Sequence, residues 1–178
     1  MKIGNTVYLD HQATTPVDSE VLEAMMPYFG TFFGNPHSAD HAVGWRAAAA
    51  VERAAAQIAT LIGADPDEIV FTSGATEANN VALLGTAKRA VGGERSRILL
   101  GATEHKCVLE VGRIIERDLG YRVSHIPVDA AGRINRDGLD AELGDDVLLV
   151  SVMAVNNEIG TIQDIPTIAR MTSQYGCI

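Results

Sequence analysis

Short apolar runs alternate with amphipathic segments along residues 69–178. The apolar runs predict strands at 69–71, 98–100, 121–126 and 147–153. The segments between and after them carry apolar residues at helical spacing, which predicts helices at 74–90, 106–119, 136–143 and after residue 164. Strands that alternate with helices in this way predict an α/β fold, a mostly parallel sheet flanked by helices.

The pattern is different in the first part of the chain. Residues 1–42 predict a short strand at 7–9, a turn, and a helix from about 19 to 29. A longer helix is predicted from 44 to 62, ended by Gly63, and its apolar stripe comprises Val51, Ala55, Ile58 and Ile62. We therefore expect an N-terminal arm and helix at 1–42, followed by an α/β domain at 43–178.

Composition and charge exclude several classes of protein. The 178 residues are 47% apolar and 21% charged, as in globular proteins, and no stretch approaches the ~20 apolar residues of a spanning helix. The net charge of −9 argues against nucleic acid or an anionic membrane as a partner. Two cysteines are too few for a disulfide framework, and the N-terminus turns polar at once. We expect a cytoplasmic protein.

Polar clusters follow three of the predicted strands, at 72–77, 103–106 and 155–160. Ligands of open parallel sheets bind beyond the carboxyl ends of the strands, so these clusters are the candidate site. At 72–77 a glycine and hydroxyl side chains stand at a helix start, where unpaired N–H groups suit a phosphate. Ordinary capping, with Glu77 satisfying the helix dipole, explains the same residues equally well. The glycine–lysine pair of a P-loop is missing.

The other two clusters are equally open to two interpretations. His105 is able to stack on an aromatic ligand or move protons, although a helix cap is the simpler interpretation. Lys106 is a candidate carbonyl-binding amine, but its position at a helix start favours a solvated lysine. Asn156 and Asn157 are able to fix a polar ligand through their amides, and asparagine also favours turns. Convergence of all three clusters on one sheet edge is what makes them a site.

Histidine and cysteine residues elsewhere give weaker signals. His11, His37 and His41 lie near the N-terminus without a carboxylate–histidine spacing, so we expect loop packing and no metal site. Cys107 is either a moderately reactive thiol or a small apolar filler, and we favour the filler.

Several segments together resemble the cysteine desulfurases, in the class V aminotransferase branch of the fold-type I pyridoxal-phosphate enzymes. They run in the family's order over essentially the whole chain, and as a set they are highly specific. The matching segments are YLDHQATTP at 8–16, GNPHS at 34–38, EIVFTSGATEANN at 68–80, EHK at 104–106 and VSVMAVNNEIGTIQ at 150–163.

The resemblance implies a cofactor, pyridoxal 5′-phosphate, and roles for five residues. Ala75 and Thr76 correspond to the pair that holds the cofactor phosphate. His105 corresponds to the histidine that stacks on the pyridine ring and moves protons, and Asn157 to an amide that contacts cofactor and substrate. Asn35 lies in a loop that lines the site. Residues 43–178 then correspond to part of the family's large cofactor-binding domain.

The resemblance also implies a reaction and partners. Family members are usually homodimers that take sulfur from L-cysteine, release L-alanine and leave a persulfide on an enzyme cysteine. Acceptor or scaffold proteins then receive the sulfur for iron–sulfur clusters or other products. Two enzymes on the same scaffold, selenocysteine lyase and a class V aminotransferase, are alternatives. A truncated dimerising or regulatory fragment is the non-enzymatic alternative.

Several of the family's catalytic residues have no counterpart here. None of Lys2, Lys88 and Lys106 matches the lysine that binds the cofactor covalently, and neither Cys107 nor Cys177 matches the persulfide cysteine. The aspartate that pairs with the pyridine nitrogen and the arginine that binds the substrate carboxylate also belong to the family's later segments. We therefore expect the N-terminal portion of such an enzyme, inactive by itself.

Overall fold

The computed structural model describes residues 1–178, the side chain of Ile3 excepted. They form two compact units, Met1–Phe71 and Thr72–Ile178. This division falls later than the boundary expected between residues 42 and 43, which coincides with the start of a long helix at Ala42. The assignment of domains to 1–42 and 43–178 stays a prediction.

The first unit begins with a hairpin and a short helix. Strands β1 (Lys2–Ile3) and β2 (Thr6–Val7) pair antiparallel, so the predicted strand at 7–9 lies slightly earlier in the chain. Helix α1 (Ser19–Met25) continues into a 3₁₀ turn at Met26–Phe29, which confirms the helix predicted at 19–29.

Helix α2 (Ala42–Ile62) confirms the long predicted helix, but its buried face differs from the predicted stripe. The His41 ring caps its N-terminus, with Nδ1 accepting from the Gly44 N–H at 3.2 Å. Gly63 ends it in a left-handed conformation, φ 71°, which glycine adopts without a steric penalty. The buried positions are the small residues Gly44, Ala47, Ala55 and Ala59, whereas Val51, Ile58 and Ile62 are exposed.

Residues 69–71 do not form the strand that their apolar pattern predicts. Val70 and Phe71 are 70% and 53% exposed, and no strand of the described chain pairs with them. A strand exists only when a neighbouring strand accepts its backbone hydrogen bonds. The predicted strand is therefore wrong, and the segment is extended but unpaired.

The second unit contains a parallel sheet, which confirms the predicted α/β fold. Its strands lie in the order β4-β3-β5, with β3 in the centre and both pairings parallel. The strands are β3 (Arg97–Gly101), β4 (Arg122–Ile126) and β5 (Val147–Ser151). Ile178 adds backbone hydrogen bonds of 3.0 Å to Leu148 and 2.8 Å from Val150, in the parallel pattern.

A continuous helical run precedes the sheet, and three further helices connect and follow its strands. The run consists of α3 (Ala75–Asn79), a π-helical segment (Asn80–Leu84) and α4 (Gly85–Arg89), which confirms the helix predicted at 74–90. The later helices are α5 (Lys106–Leu119), α6 (Arg136–Glu142) and α7 (Ile165–Ser173). None of the described helices is long and apolar enough to cross a membrane.

Apolar side chains cover the sheet on both faces. On β3, Ile98 and Leu100 belong to one cluster, while Leu99 belongs to the other, because successive side chains of a strand point to opposite faces. Helix α5 supplies Val108, Val111 and Ile115 to the first cluster. Burial on both faces explains why β3 and β5 read as continuous apolar runs in the sequence.

We predict that Ile98→Ala lowers the free energy of unfolding by about 2–5 kcal/mol, because Ile98 has no exposed surface and its removal leaves a cavity. Ile162→Ala is the matched control, since the same substitution falls on a side chain that is 71% exposed, and we expect a change within about 0.5 kcal/mol. Urea unfolding followed by circular dichroism measures both. Equal losses would contradict the assigned core.

Candidate active site

The candidate site lies at the carboxyl ends of β3 and β5, which are neighbours in the sheet. The turn at 102–105 follows β3 and the loop at 152–160 follows β5, so two of the predicted polar clusters share one edge. The third cluster, at 72–77, follows the unpaired segment 69–71. The expectation that the cluster at 72–77 follows a strand of this sheet is wrong. A side-chain hydrogen bond from α3, described below, joins this cluster to the candidate site instead.

His105 stands at the N-terminus of α5 and caps it. Its Nδ1 accepts the Cys107 N–H at 3.2 Å and lies 3.0 Å from the Cys107 sulfur. With Nδ1 accepting, a neutral ring carries its proton on Nε2. The ring is exposed, so the cap holds one edge of the imidazole while the remainder is accessible. Lys106, the first residue of α5, is exposed as well.

The cluster at 72–77 forms a tight turn into α3. Gly74 has φ 156° and ψ −178°, a backbone conformation that residues with a side chain rarely adopt. Glu77 accepts the Ser73 N–H at 2.6 Å, and its hydrogen bonds with Ser73 lower the pKa of its carboxyl. Ala75 and Thr76 are exposed in the first turn of the helix, and Gly74 has no side chain with which to cap it.

A buried amide organises the loop after β5. The Asn156 side chain donates to the Thr103 carbonyl at 2.9 Å and accepts the N–H groups of Glu158 and Ile159 at 2.9 and 3.1 Å. Asn157, the next residue, is exposed. The loop therefore buries its first asparagine and presents its second.

Glu104 makes a second connection between the two strand ends. Its half-buried carboxylate accepts the Met153 N–H, and burial raises the pKa of the carboxyl above its ordinary value of 4.5. The Thr103–Asn156 and Glu104–Met153 bonds together join the turn after β3 to the loop after β5.

A third hydrogen bond connects the cluster at 72–77 to the same place. Asn79, at the end of α3, donates from Nδ2 to the Cys107 sulfur at 3.3 Å, and α3 packs against α5. The segments that carry Thr76, His105 and Asn157 are thus joined by side-chain hydrogen bonds. The half-buried Cys107 takes part in this contact, beyond the filler role expected from the sequence.

Asn35 belongs to the first compact unit. Its side-chain oxygen accepts the His37 N–H at 2.9 Å and shapes the loop at 34–38. Its proposed role in lining the site stays a prediction.

The sequence did not single out three polar residues that the structure makes important. The sequence treats Asn156 only together with Asn157, and Glu104 only as part of the segment 104–106. Gln163 is buried and bridges Gly132 and Ile134, through bonds of 2.7 and 2.9 Å. The available signal was their position beside buried strands, where a polar side chain requires partners.

Metal-ligating residues do not cluster in the part of the chain that the structure describes. His41 caps α2, as described, and His11 lies 3.2 Å from the Thr15 hydroxyl. Cys177 is half-buried, donates to the Thr172 carbonyl at 3.1 Å, and burial raises the pKa of its thiol.

Comparison with known proteins gives one consistent family. The family model described as aminotransferase class-V matches residues 7–178. A mitochondrial cysteine desulfurase of Drosophila melanogaster is 50% identical over 168 residues, and the cysteine desulfurase IscS of Rickettsia felis is 48% identical over 170. A solved structure of SspA in complex with cysteine superposes with a TM-score of 0.89 at 36% identity.

Each match covers nearly all of this chain but less than half of the relative. The matches include 94%, 96% and 97% of this chain, but only 36%, 41% and 49% of the three relatives, in the same order. The chain therefore spans less than half the length of the relatives that it matches.

We predict that Glu104→Gln raises the free energy of unfolding relative to the wild type progressively as the pH rises above 4.5. A raised pKa means that the folded state holds the Glu104 proton more tightly than the unfolded state, so the contribution of this carboxyl to the free energy of unfolding falls as the pH rises above 4.5. Glutamine keeps an acceptor for the Met153 N–H and has no proton to lose. Glu116→Gln is the matched control, because this exposed carboxylate also accepts a backbone N–H, from Val123 at 3.3 Å.

Urea unfolding at a series of pH values measures the effect. We expect the free energy of unfolding of the Glu104 variant to increase, relative to those of the wild type and the control, as the pH is raised. If the free energy of unfolding changes with pH identically in all three proteins, the raised pKa of the half-buried Glu104 carboxyl is contradicted.

Proposed function

The chain belongs to the aminotransferase class-V family, and we propose that it forms the cofactor-binding part of a pyridoxal-phosphate-dependent cysteine desulfurase. The single observation that carries the proposal is the joining of three polar segments by side-chain hydrogen bonds: Asn79 to Cys107, Asn156 to Thr103, and Glu104 to Met153. The names of the two cysteine desulfurase relatives favour this reaction within the family.

The turn into α3 fits a phosphate group. The first N–H groups of a helix lack carbonyl partners within the helix and carry a partial positive charge, and Thr76 adds an exposed hydroxyl that is able to donate. Glu77 accepts the Ser73 N–H that precedes the helix, so it leaves the N–H groups of Ala75 and Thr76 to a ligand. Ala75 and Thr76 would hold the cofactor phosphate.

His105 and Asn157 would contact the cofactor ring. The cap on α5 fixes the imidazole at Nδ1, so its exposed face is available for stacking and Nε2 is the atom at which a proton is held or moved. Asn157 is presented by a loop whose shape depends on the buried Asn156 and supplies an amide that donates or accepts. When bound, pyridoxal phosphate supplies the electron sink for reactions of amino acids.

The proposed reaction takes sulfur from L-cysteine, releases L-alanine and leaves a persulfide on a cysteine. Neither cysteine of this chain matches the family's persulfide cysteine: Cys107 contacts Asn79 and His105, and Cys177 is partly buried against Thr172. Delivery to iron–sulfur clusters through acceptor or scaffold proteins, and a homodimeric state, belong to the same proposal. The cytoplasmic location expected from the sequence stays a prediction.

We predict that Thr76→Val weakens binding of pyridoxine 5′-phosphate about tenfold to a hundredfold, as expected for the loss of one hydrogen bond to a charged group. This probe carries the ring and the phosphate but no aldehyde, so surface lysines cannot capture it. Titration of the ¹⁵N-labelled chain should give saturable NMR shifts at residues 74–77 and at the His105 ring.

Thr60→Val is the matched control for that variant, since Thr60 is an exposed helical threonine in the other compact unit. We expect it to bind the probe as the wild type does. Wild-type protein without shifts at residues 74–77 would contradict the proposed phosphate site.

We also predict that the 178-residue chain, supplied with pyridoxal 5′-phosphate and L-cysteine, releases no L-alanine above the rate of a protein-free control. The reason is that Lys2, Lys88 and Lys106 do not match the family's cofactor-binding lysine. Chromatographic detection of alanine measures this. Alanine release that disappears in Lys106→Arg would contradict the expectation and assign that role to Lys106.

A further inference from the structure

Asn156 is one of two polar side chains that are buried among the described residues, with 9% of its surface exposed. Both ends of its amide are used. The Nδ2 group donates to the Thr103 carbonyl at 2.9 Å, and Oδ1 accepts the N–H groups of Glu158 and Ile159 at 2.9 and 3.1 Å. Its backbone is also paired, with the Thr161 carbonyl and the Gly160 N–H.

The two ends of this amide have different effects on the structure. The acceptor end closes the loop after β5 upon itself, because Glu158 and Ile159 belong to the same loop as Asn156. The donor end connects that loop to another one, because Thr103 lies in the turn after β3. One buried side chain therefore shapes a loop and also attaches it to its neighbour.

The attachment points lie beside the two residues proposed to contact the cofactor ring. Thr103 precedes His105 by two residues, and Asn156 directly precedes Asn157. We propose that Asn156 is a positioning residue, whose bond to the Thr103 carbonyl sets the separation of His105 and Asn157 for an aromatic phosphate ester. This inference rests on the proposed function and assigns Asn156 no contact with the ligand.

The Glu104 bond to Met153 does not replace this connection. Met153 lies four residues before Asn157, at the start of the loop, so that bond acts further along the chain from Asn157. The bond of Asn156 acts immediately beside Asn157. We therefore assign the positioning to Asn156 and a supporting contact to Glu104.

Asn156→Asp is the variant that separates the two ends of the amide. Aspartate has nearly the same shape and keeps an oxygen for the N–H groups of Glu158 and Ile159, but its ionised carboxylate has no donor for the Thr103 carbonyl. Asn135→Asp is the matched control with the same change of charge. Asn135 uses only its oxygen, which accepts the Gly138 N–H at 2.9 Å and caps α6.

The first readout requires no ligand. In the Asn156→Asp chain we expect the nuclear Overhauser effects between the turn at 102–105 and the loop at 156–159 to disappear. Those within the loop should persist. The Asn135→Asp chain should keep both sets. Persistence of the contacts between turn and loop in the Asn156→Asp chain overturns the inference.

The second readout is the affinity for pyridoxine 5′-phosphate. We expect Asn156→Asp to weaken binding about tenfold at neutral pH, and the deficit relative to the wild type to shrink as the pH falls, because the protonated carboxyl regains a donor for the Thr103 carbonyl. Asn135→Asp should bind as the wild type does at every pH. A variant at position 156 with wild-type affinity and an intact fold overturns the inference.

The wild-type chain decides the matter if the variant does not fold. The side-chain NH₂ protons of Asn156 should exchange with solvent much more slowly than those of an exposed asparagine, and exchange at the exposed rate overturns the inference. The proposed function fails separately, when the wild-type chain shows no saturable shifts at Thr76 and His105. The ligand-free contacts then still decide whether Asn156 fixes the two loops.

Discussion

Strand β3 lies in the centre of the sheet, and its residues Ile98, Leu99 and Leu100 have almost no exposed surface. Their side chains fill clusters on both faces, so the strand is held from both sides while it pairs in parallel with β4 and β5. Parallel pairing brings the carboxyl ends of β3 and β5 to one edge. The candidate site depends on this constraint, because two of its three polar segments follow those two strands.

The site itself is assembled by polar groups that also have structural partners. His105 caps α5, Glu77 accepts the Ser73 N–H, and Asn156 folds its own loop. Capping and ligand binding are therefore compatible here, because each cap uses only one edge of a side chain or one end of a turn and leaves the rest accessible. In the sequence, capping and ligand binding are competing interpretations of these residues. In the structure the caps form, and the side chains of His105, Thr76 and Asn157 are still accessible.

Most helices and strands of the second unit follow from the sequence alone, including α5 with its predicted bounds of 106 and 119. The amphipathic period of the helices and the apolar runs of the strands are local properties of the sequence, and burial of the apolar side chains in the core then stabilises these elements. The predictions that are wrong concern residues whose strand pairing or burial depends on partners that are distant in the sequence. Residues 69–71 have the composition of a strand but no strand to pair with, and α2 buries Ala47 and Ala59 where larger apolar residues were expected.

The sequence by itself determined the α/β fold, the family resemblance and the segments of the candidate site, because the spacing of apolar residues and the order of motifs are properties of the sequence alone. Only the tertiary structure decided that Asn156 is buried while Asn157 is exposed, and that Glu104 and Asn79 join neighbouring segments. Two adjacent asparagines are chemically identical in a sequence. What distinguishes them is which one meets the Thr103 carbonyl, a contact across 53 residues that only the pairing of β3 with β5 creates.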